Sequence, residues 1–559
     1  MWKPSKLQHF SETPKEALNL RLVVGVVSLG LLGASRGIDE GIISGEMQHS
    51  SFQKAFNIEP DSEKESNIVS MVQLFSFVGA LVAYFTTDRL GRVRSAQICC
   101  LLIFLGTSLW AGAAGNYAML VVGRAINGIG VGMTPICAPI FLVEIAPRQI
   151  RGLCTSIYSV NVYLGLLLGY CVNLGVKRHI DGNTNAIWQV PLALNYTFHV
   201  IVLVGTLFIH ESPRWLMQKE RYEEASKALA FYRKMEPNNR LFIDEYEMIS
   251  ESVRTEKAAV AGLGFLDKAR ELFGERNNQY KLFLAAVIQI SGQWTGAGSI
   301  STYANRILGI IGVDNSQGYV TTVGFGTAKL VAGLLSSFLL IDVFGRRRTL
   351  LVGTFFQGLS NLYLSIFLGL YIDGKHTAGK KRASEAGIAA IVIGGVSWSM
   401  GGNLAQYLVN TEIFGLHVRS MASAVIMILH YLMQYSVTRA LTPMLESKLK
   451  AGGTFGVFCA ASLAVALPFY LFFLPETSGK SLESIDELFD LPWYRIGRAS
   501  RRPLRGEEVA HHSMPAALEV GGGWSGAAGA GGGCDDEAKG EKEKGYKGGA
   551  TTVMTRTRF

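Results

Sequence analysis

The side chains of this chain that could do chemistry are ionisable groups set among apolar neighbours. Asp39 lies with Arg36 and Glu40 in the otherwise uncharged run GASRGIDEGIISG, residues 33–45. A carboxylate inside a membrane-spanning segment is costly and as a rule lines a cavity or a proton relay. Asp39 is therefore the candidate for reversible protonation. The competing reading is a fixed structural ion pair, and Arg36, three residues earlier on the same helical face, is a competing partner. His430 also falls in an apolar stretch and fits a packing residue as well as a ligand, while Lys329 and Arg439 are intramembrane cations, the first able to pair with a carboxylate and the second without a role in the sequence. A further set of charges sits in polar loops, where a carboxylate lies beside a glycine and a cluster of arginines. These are Asp88 with Arg89 and Arg92, Asp342 with Arg346, Arg347 and Arg348, Glu144 with Arg151, and Glu412 with Arg419. Such groups form ion-pair networks that hold one arrangement of helices and release another. No nucleophile, base and acid are grouped as an enzyme would need, so the chemistry on offer is proton binding and gating.

Such residues need elements that hold them at fixed depth in a nonaqueous medium. Of the 559 residues, 49% are hydrophobic and only 17% charged, below the roughly 25% charge of a soluble domain. Twelve apolar windows of about 20 residues, each long enough to cross a hydrocarbon core, start near 22, 67, 95, 118, 153, 189, 282, 319, 349, 387, 420 and 453. The windows are continuous, not alternating, so each is expected to be a helix, and a β-barrel is excluded. A polar stretch over residues 211–281 divides six windows from six and is expected to carry short surface helices. The halves repeat each other. DRLGR (Asp88–Arg92) returns as DVFGR (Asp342–Arg346), EIAPRQIR (Glu144–Arg151) as EIFGLHVR (Glu412–Arg419), and Glu211 of HESPR answers Glu476 of PETSG, at offsets of 254, 268 and 265. Near-equal offsets mean one six-helix unit used twice.

The expected organisation is a tail over 1–21, a six-helix bundle over 22–210, a central loop over 211–281, a second bundle over 282–488 and a tail, disordered by composition, over 489–559. Lys and Arg in the short loops alone do not orient the chain. Adding those of the N-terminal tail and the ends of the central loop gives 20 against 10, which puts both tails and the central loop in the cytoplasm. The seven cysteines contain no CxxC pair, and the six in apolar stretches read as small buried hydrophobes. Gly128, Gly130, Gly132, Gly165 and Gly169 read as close helix packing, since no strand precedes them and no Lys-Ser/Thr follows.

GIDEGIISG, DRLGRVR, RAINGIGVG, PIFLVEIAPRQIRG, ESPRWL, QWTG, DVFGRRR and PETSGKSLE, in that order over residues 22–488, resemble the sugar porter family of the major facilitator superfamily, in its fungal branch. The resemblance implies an all-α membrane protein of twelve transmembrane helices in two six-helix bundles, working by alternating access. It implies Asp39 and Arg124 as the proton-coupling pair, and a substrate pocket built from Gln293, Trp294, Tyr303, Tyr407, His430, Tyr431 and Gln434. It further implies gating by Asp88, Arg89, Arg92, Glu144, Arg151, Glu211, Arg214, Asp342, Arg346, Arg347, Glu412, Arg419 and Glu476. The chain departs from the family at Ser159, Gly292, Gly298, Tyr407 and Gly415, which replace a glutamine, a glutamine, an asparagine, a tryptophan and a proline. QWTGAGSISTY looks closest to the form carried by fungal lactose-type porters. Facilitative relatives tend to lack the carboxylate, so the expected function is proton symport of a monosaccharide or related polyol at the plasma membrane. The alternatives are a facilitative uniporter, a carrier of a disaccharide or quinate-like solute, or a sugar sensor, which the short tail disfavours. Neither an enzyme nor a cofactor or metal is implied, and the partners expected are a sugar or polyol, a proton and the bilayer, with no nucleic acid, the chain being monomeric.

Overall fold

The structure is a computed structural model. It describes residues 19–500 except 60–61, 148–149, 261, 263, 341–343, 373–378, 404–405, 407–408, 410–412, 416–417, 478–487, 490 and 492. All regular elements among the described residues are helical. Six spans precede the central stretch: α1 (Leu20–Glu46), α2 (Glu63–Leu90), α3 (Arg92–Ala111), α4 (Tyr117–Ile145), α5 (Arg151–His179) and α6 (Ala186–Leu207). The seventh, α7, is broken into Arg276–Trp294, Ala297–Thr302 and Ala304–Ile311. Five more follow: α8 (Gln317–Phe338), α9 (Arg346–Ile372), α10 (Lys380–Gly402), α11 (Arg419–Glu446) and α12 (Lys450–Phe472). Eleven of the twelve are long and apolar enough to cross a membrane in one piece. The exception is α7, where Gly296 adopts φ +80° and stops the first segment. A Cβ there would meet the Phe458 ring at 2.5 Å, so both the left-handed backbone and the close contact require glycine. Broken helices are tolerated at membrane depth where protein or a cavity covers the exposed backbone groups.

Each half packs mainly on itself. In the first, α1 lies along α5, and α4 along α2 and α3; in the second, α9 lies against α10 and α12, and α8 against α10. Small residues set the spacing. A Cβ at Gly37 would fall 1.9 Å from the Val162 carbonyl oxygen, and one at Gly165 would fall 2.3 Å from that of Ala34. With so little hydrophobic drive between helices in lipid, backbone-to-backbone contact of this kind supplies the packing. The halves meet where α2 lies along α11 and α5 along α8, and where α1 touches the short pieces of α7.

The central stretch folds into four helices, three of them short, Pro213–Gln218, Tyr222–Arg233 and Phe265–Gly274, and one, Arg240–Val260, of 21 residues. Arg233 fastens them to α4, donating to the Ile145 carbonyl at 2.9 Å while holding Glu245 at 2.7 and 2.8 Å. The cysteines divide. Cys99, Cys100, Cys137 and Cys154 are buried, but Cys171 is exposed and Cys459 half-buried, because a span also presents apolar side chains outward.

Candidate functional site

Asp39 and Arg124 meet in the first half. The guanidinium donates to Asp39 at 2.8 and 3.4 Å, Nε donates to the Ile68 carbonyl of α2 at 3.0 Å, and the plane lies 4.6 Å from the Trp110 ring centre. Asn127, one turn beyond Arg124 on α4, donates to the same Asp39 oxygen at 3.1 Å. Both members of the ion pair are buried, with 0% and 2% of their side chains accessible. Removing either partner would leave a charge without compensation, a loss of about 3–5 kcal/mol in typical cases. Arg36 turns the other way, to Glu40 at 3.2 Å, His430 Nε2 at 3.4 Å and Gln434 at 3.1 Å. The i,i+4 spacing that brings Arg36 to Glu40 wins over the i,i+3 approach to Asp39, and Asp39 goes to α4.

A second cluster lies between the halves, where α1 faces α7 and α11. Glu40 accepts from Gln434 at 3.3 Å, and His430 Nδ1 lies 2.8 Å from Gln289 Oε1 and 3.2 Å from the Gln293 amide. Arginine has no acceptor, so His430 Nε2 must accept from Arg36, and Nδ1 carries the hydrogen donated to Gln289. This orients the ring. Gln289 Nε2 and Gln406 Nε2 are buried without a hydrogen-bond partner among the described residues. Unfilled donors beside a polar cluster are groups a ligand hydroxyl would satisfy. The departures at Gly292 and Gly298 open this space. A Cβ at Gly292 would lie 2.9 Å from Gln406 Oε1, and one at Gly298 would lie 3.7 Å from Gln434 Nε2. Lys329 of α8 donates to Ser301 at 2.6 Å, with the Tyr163 and Phe325 rings 5.5 and 5.3 Å away. It has no carboxylate within ion-pair distance among the described residues.

The sequence-predicted pocket residues separate. Gln293, His430 and Gln434 join this cluster; Tyr431 packs with Ala80 and Met427, and Trp294 is half-buried against the core on the α7 side. Tyr303 lies elsewhere, at the start of the last piece of α7, with the Arg306 guanidinium 5.9 Å from its ring centre. The helix break moves it toward the end of the molecule that carries the α1–α2 connection. There Arg306 pairs with Glu65 at 3.5 Å, Asn305 donates to the Ser44 carbonyl at 3.3 Å, Tyr319 to that of Gly45 at 3.2 Å, and Ser66 to that of Arg439 at 3.1 Å. These bonds tie the halves together at that end and give Arg439 a backbone part. Tyr407, Asp342 and Glu412 lie outside the described residues.

At the opposite end the repeated motifs explain one another. Gly91, at φ +103°, opens α3, and the Glu211 carboxylate accepts from the first two N–H groups, Arg92 at 3.0 Å and Val93 at 3.1 Å. Gly345, at φ +82°, opens α9, and Glu476 accepts from Arg346 N–H at 2.9 Å. A carboxylate at a helix N-terminus satisfies orphan donors and complements the dipole. Burial holds the Glu211 carboxyl above its ordinary range, with those N–H groups opposing the shift. Arg92 holds Glu144 at 2.8 and 2.9 Å and lies 3.6 Å from the exposed Asp88, while Arg89 sits over Phe85. Arg214 pairs with Glu256 of the central helices, Arg347 donates to the Tyr470 and Leu471 carbonyls, and Arg419 to that of Phe414. Thus the pairs described here lie within a half. Sequence reasoning missed Asn127, Gln289, Gln406 and the Arg36–Glu40 pair. Only Asn127 carried a signal, its one-turn spacing from Arg124.

The comparisons bear on the family and the fold. The family model described as "Sugar (and other) transporter" matches residues 26–489. The chain is 29% identical over 514 residues to the quinate permease of Emericella nidulans, covering 90% of this chain and 95% of that protein. It is 28% identical over 491 residues to the quinate permease of Neurospora terricola, covering 86% and 90%. Among solved structures, the proton:xylose symporter XylE bound to 6-bromo-6-deoxy-D-glucose superposes with a TM-score of 0.68 at 22% identity, covering 84% of this chain and 99% of that one. A partially occluded inward-open form of the xylose transporter XylE from E. coli gives 0.68 at 21%, covering 83% and 100%. At that identity the likeness establishes the major facilitator fold.

Proposed function

The chain belongs to the sugar (and other) transporter family, a multi-pass membrane transporter of the major facilitator superfamily, and on that footing we propose that it imports a monosaccharide or related polyol together with a proton. It works as a monomer in the plasma membrane, with both termini and the central helices in the cytoplasm, as the excess of Lys and Arg on that side supports. The observation that carries this reading is the buried Asp39–Arg124 pair with Asn127. Protonating Asp39 removes the charge that holds the guanidinium. Arg124 also holds the α2 backbone at Ile68, so the change is felt by α1, α2 and α4 together. Substrate hydroxyls bind to Gln289, Gln293, Gln406 and Gln434 between the halves. The bonds at the α1–α2 end form and break as the halves rock, and the Glu211 and Glu476 helix caps anchor each half at the cytoplasmic end. A proton and a solute that both bind one conformation better than the other bias its population, which is the whole of the coupling.

Uptake of labelled sugars and polyols in a host lacking hexose transporters, with and without a protonophore, tests the reading. Accumulation above the external concentration that collapses with the protonophore is expected. Equilibration without accumulation would make the protein a uniporter.

A second reading, a polyol that carries a carboxylate, is favoured by the cations of the cleft. Arg36 pairs there with Glu40, and Lys329 feels both charges. The relatives named quinate permeases support the same class. Quinate outcompeting glucose for uptake, with the preference lost in Lys329→Met, is the expected result; glucose outcompeting quinate would return the solute to neutral sugars.

A further inference from the structure

We propose that Glu46 is a second proton-carrying group, which passes protons between the α1–α2 end of the molecule and Asp39. The inference rests on the proton coupling proposed above and adds a residue to it. Glu46 closes α1, is fully buried, and has neither carboxyl oxygen hydrogen-bonded among the described residues. Its neighbours in sequence, Ile42, Ile43 and Met47, belong to an apolar cluster with Phe52, Phe56, Trp110 and Trp188. An ionised carboxylate without a partner in such surroundings carries a heavy desolvation cost, so the site is built for the neutral acid.

Position makes that acid useful. Glu46 follows Asp39 by seven residues, two helical turns, and so lies on the same face about 10 Å along the axis. The charged groups within electrostatic reach of it are Arg124 of α4 and Asp39 of α1. A guanidinium that leaves Asp39 when Asp39 is protonated has Glu46 as its next available acid, and the two carboxyls can exchange one proton and one cation between them. His49, three residues beyond the end of α1 and stacked on Tyr319 of α8, has no hydrogen-bond partner at Nε2 among the described residues. Burial, with the charge of Lys177 adding, holds its imidazole down to about 4, so His49 bears no proton at neutral pH and the carrying role falls to Glu46. The residues just before Glu46 are the hinge of access. Ser44 and Gly45 take the bonds from Asn305 and Tyr319 that close this end, so opening it hydrates the end of α1. The sequence of events is solvent proton to Glu46 while that end is open, Glu46 to Asp39 through the water admitted at the end of α1 as Arg124 shifts, and Asp39 to the cytoplasm after the halves rock.

The test uses the full chain in proteoliposomes. Substrate-driven proton influx, read with a trapped pH dye, and counterflow of labelled solute are measured for wild type, E46Q, E46D and D39N, with D-glucose, xylitol and quinate as probes. E46Q, of nearly the same size and neutral, is expected to slow proton influx at least tenfold and to flatten its pH dependence while counterflow continues; E46D is expected to regain part of the rate. If E46Q keeps the wild-type influx and pH profile, Glu46 is a packing residue and the proposal fails, with the coupling at Asp39 untouched. If the wild type itself moves no proton with any probe, the coupling reading fails and takes this one with it. Infrared difference spectra on adding solute give a measure that needs no Glu46 variant. A protonated-carboxyl band that changes in the wild type and persists in D39N is expected, and its absence from D39N overturns the proposal.

Discussion

The helices that open the two halves, α1 and α7, come from one repeated unit and have diverged in opposite directions. Between Leu32 and Glu46, α1 carries Arg36, Asp39, Glu40 and Glu46 and keeps its helix through the site. Between Leu282 and Tyr303, α7 carries no charge, presents Gln289 and Gln293, and breaks at Gly296. The contrast extends to the rest of each half. π-turns lie at the C-terminal ends of α8, α9 and α10, at Ser336–Leu340, Leu368–Ile372 and Trp398–Gly402, and interrupt α12 at Ala461–Ala466, whereas none is found among the described residues of the first half. Buried charge needs a rigid frame, because a buried ion pair is favourable only at close to ideal geometry. Irregular turns expose backbone and side-chain groups for a ligand. The difference fits the proposed division of labour, in which the first half holds the proton and the second the solute.

Four measurements would break or sharpen that division. The largest effect is expected from Asp39→Asn, which should reduce the accumulation ratio to about 1, the value for a carrier whose ligand drives nothing uphill, while counterflow continues; unchanged accumulation would leave Asp39 a structural residue. Gln406→Ala or Gln289→Ala should raise KM about tenfold, the loss of one buried hydrogen bond of roughly 1–3 kcal/mol. Coupling at saturating solute should stay, and an altered proton stoichiometry in either variant would show that the halves share both tasks. Gly296→Ala forces a side chain into a left-handed conformation at a cost of about 1–3 kcal/mol and against Phe458, so a lower unfolding temperature is expected, with a greater loss of uptake than of folded protein. The smallest effect is expected from His49→Gln. With the ring held at about 4, it stays neutral across roughly pH 5 to 8, and the uptake profile over that range should match the wild type. A shifted profile would bring His49 into the relay.

Much of this was legible before any coordinate. The twelve windows begin within four residues of the observed helices, apart from α7 and α10, which start six and seven residues earlier, at Arg276 and Lys380. The glycines read as packing contacts do that work, as Gly128 and Gly132 show by standing where a Cβ would fall 2.5 and 2.1 Å from the carbonyls of Val72 and Ser76. Asp39 announced itself by being charged in an apolar run. The cleft was less readable. Gln289 and Gln406 are ordinary glutamines in sequence, and their unfilled donors exist only once α7, α10 and α11 converge. The placement of Tyr303 also escaped, since a single positive φ at Gly296 decides it.

Apolar length, charge and repetition are local properties of a chain, so the sequence by itself determined a membrane-spanning, twice-used six-helix unit with an acid in its first helix. Which charge meets which is not local. Arg124 is 85 residues from Asp39 and Gln434 is 398 from Arg36, and in a low-dielectric interior a shift of an ångström or two selects among partners. Only the tertiary packing decided that Arg36 also reaches His430 and Gln434 in the cleft, and that Glu46 is left, among the described residues, with its oxygens unpaired.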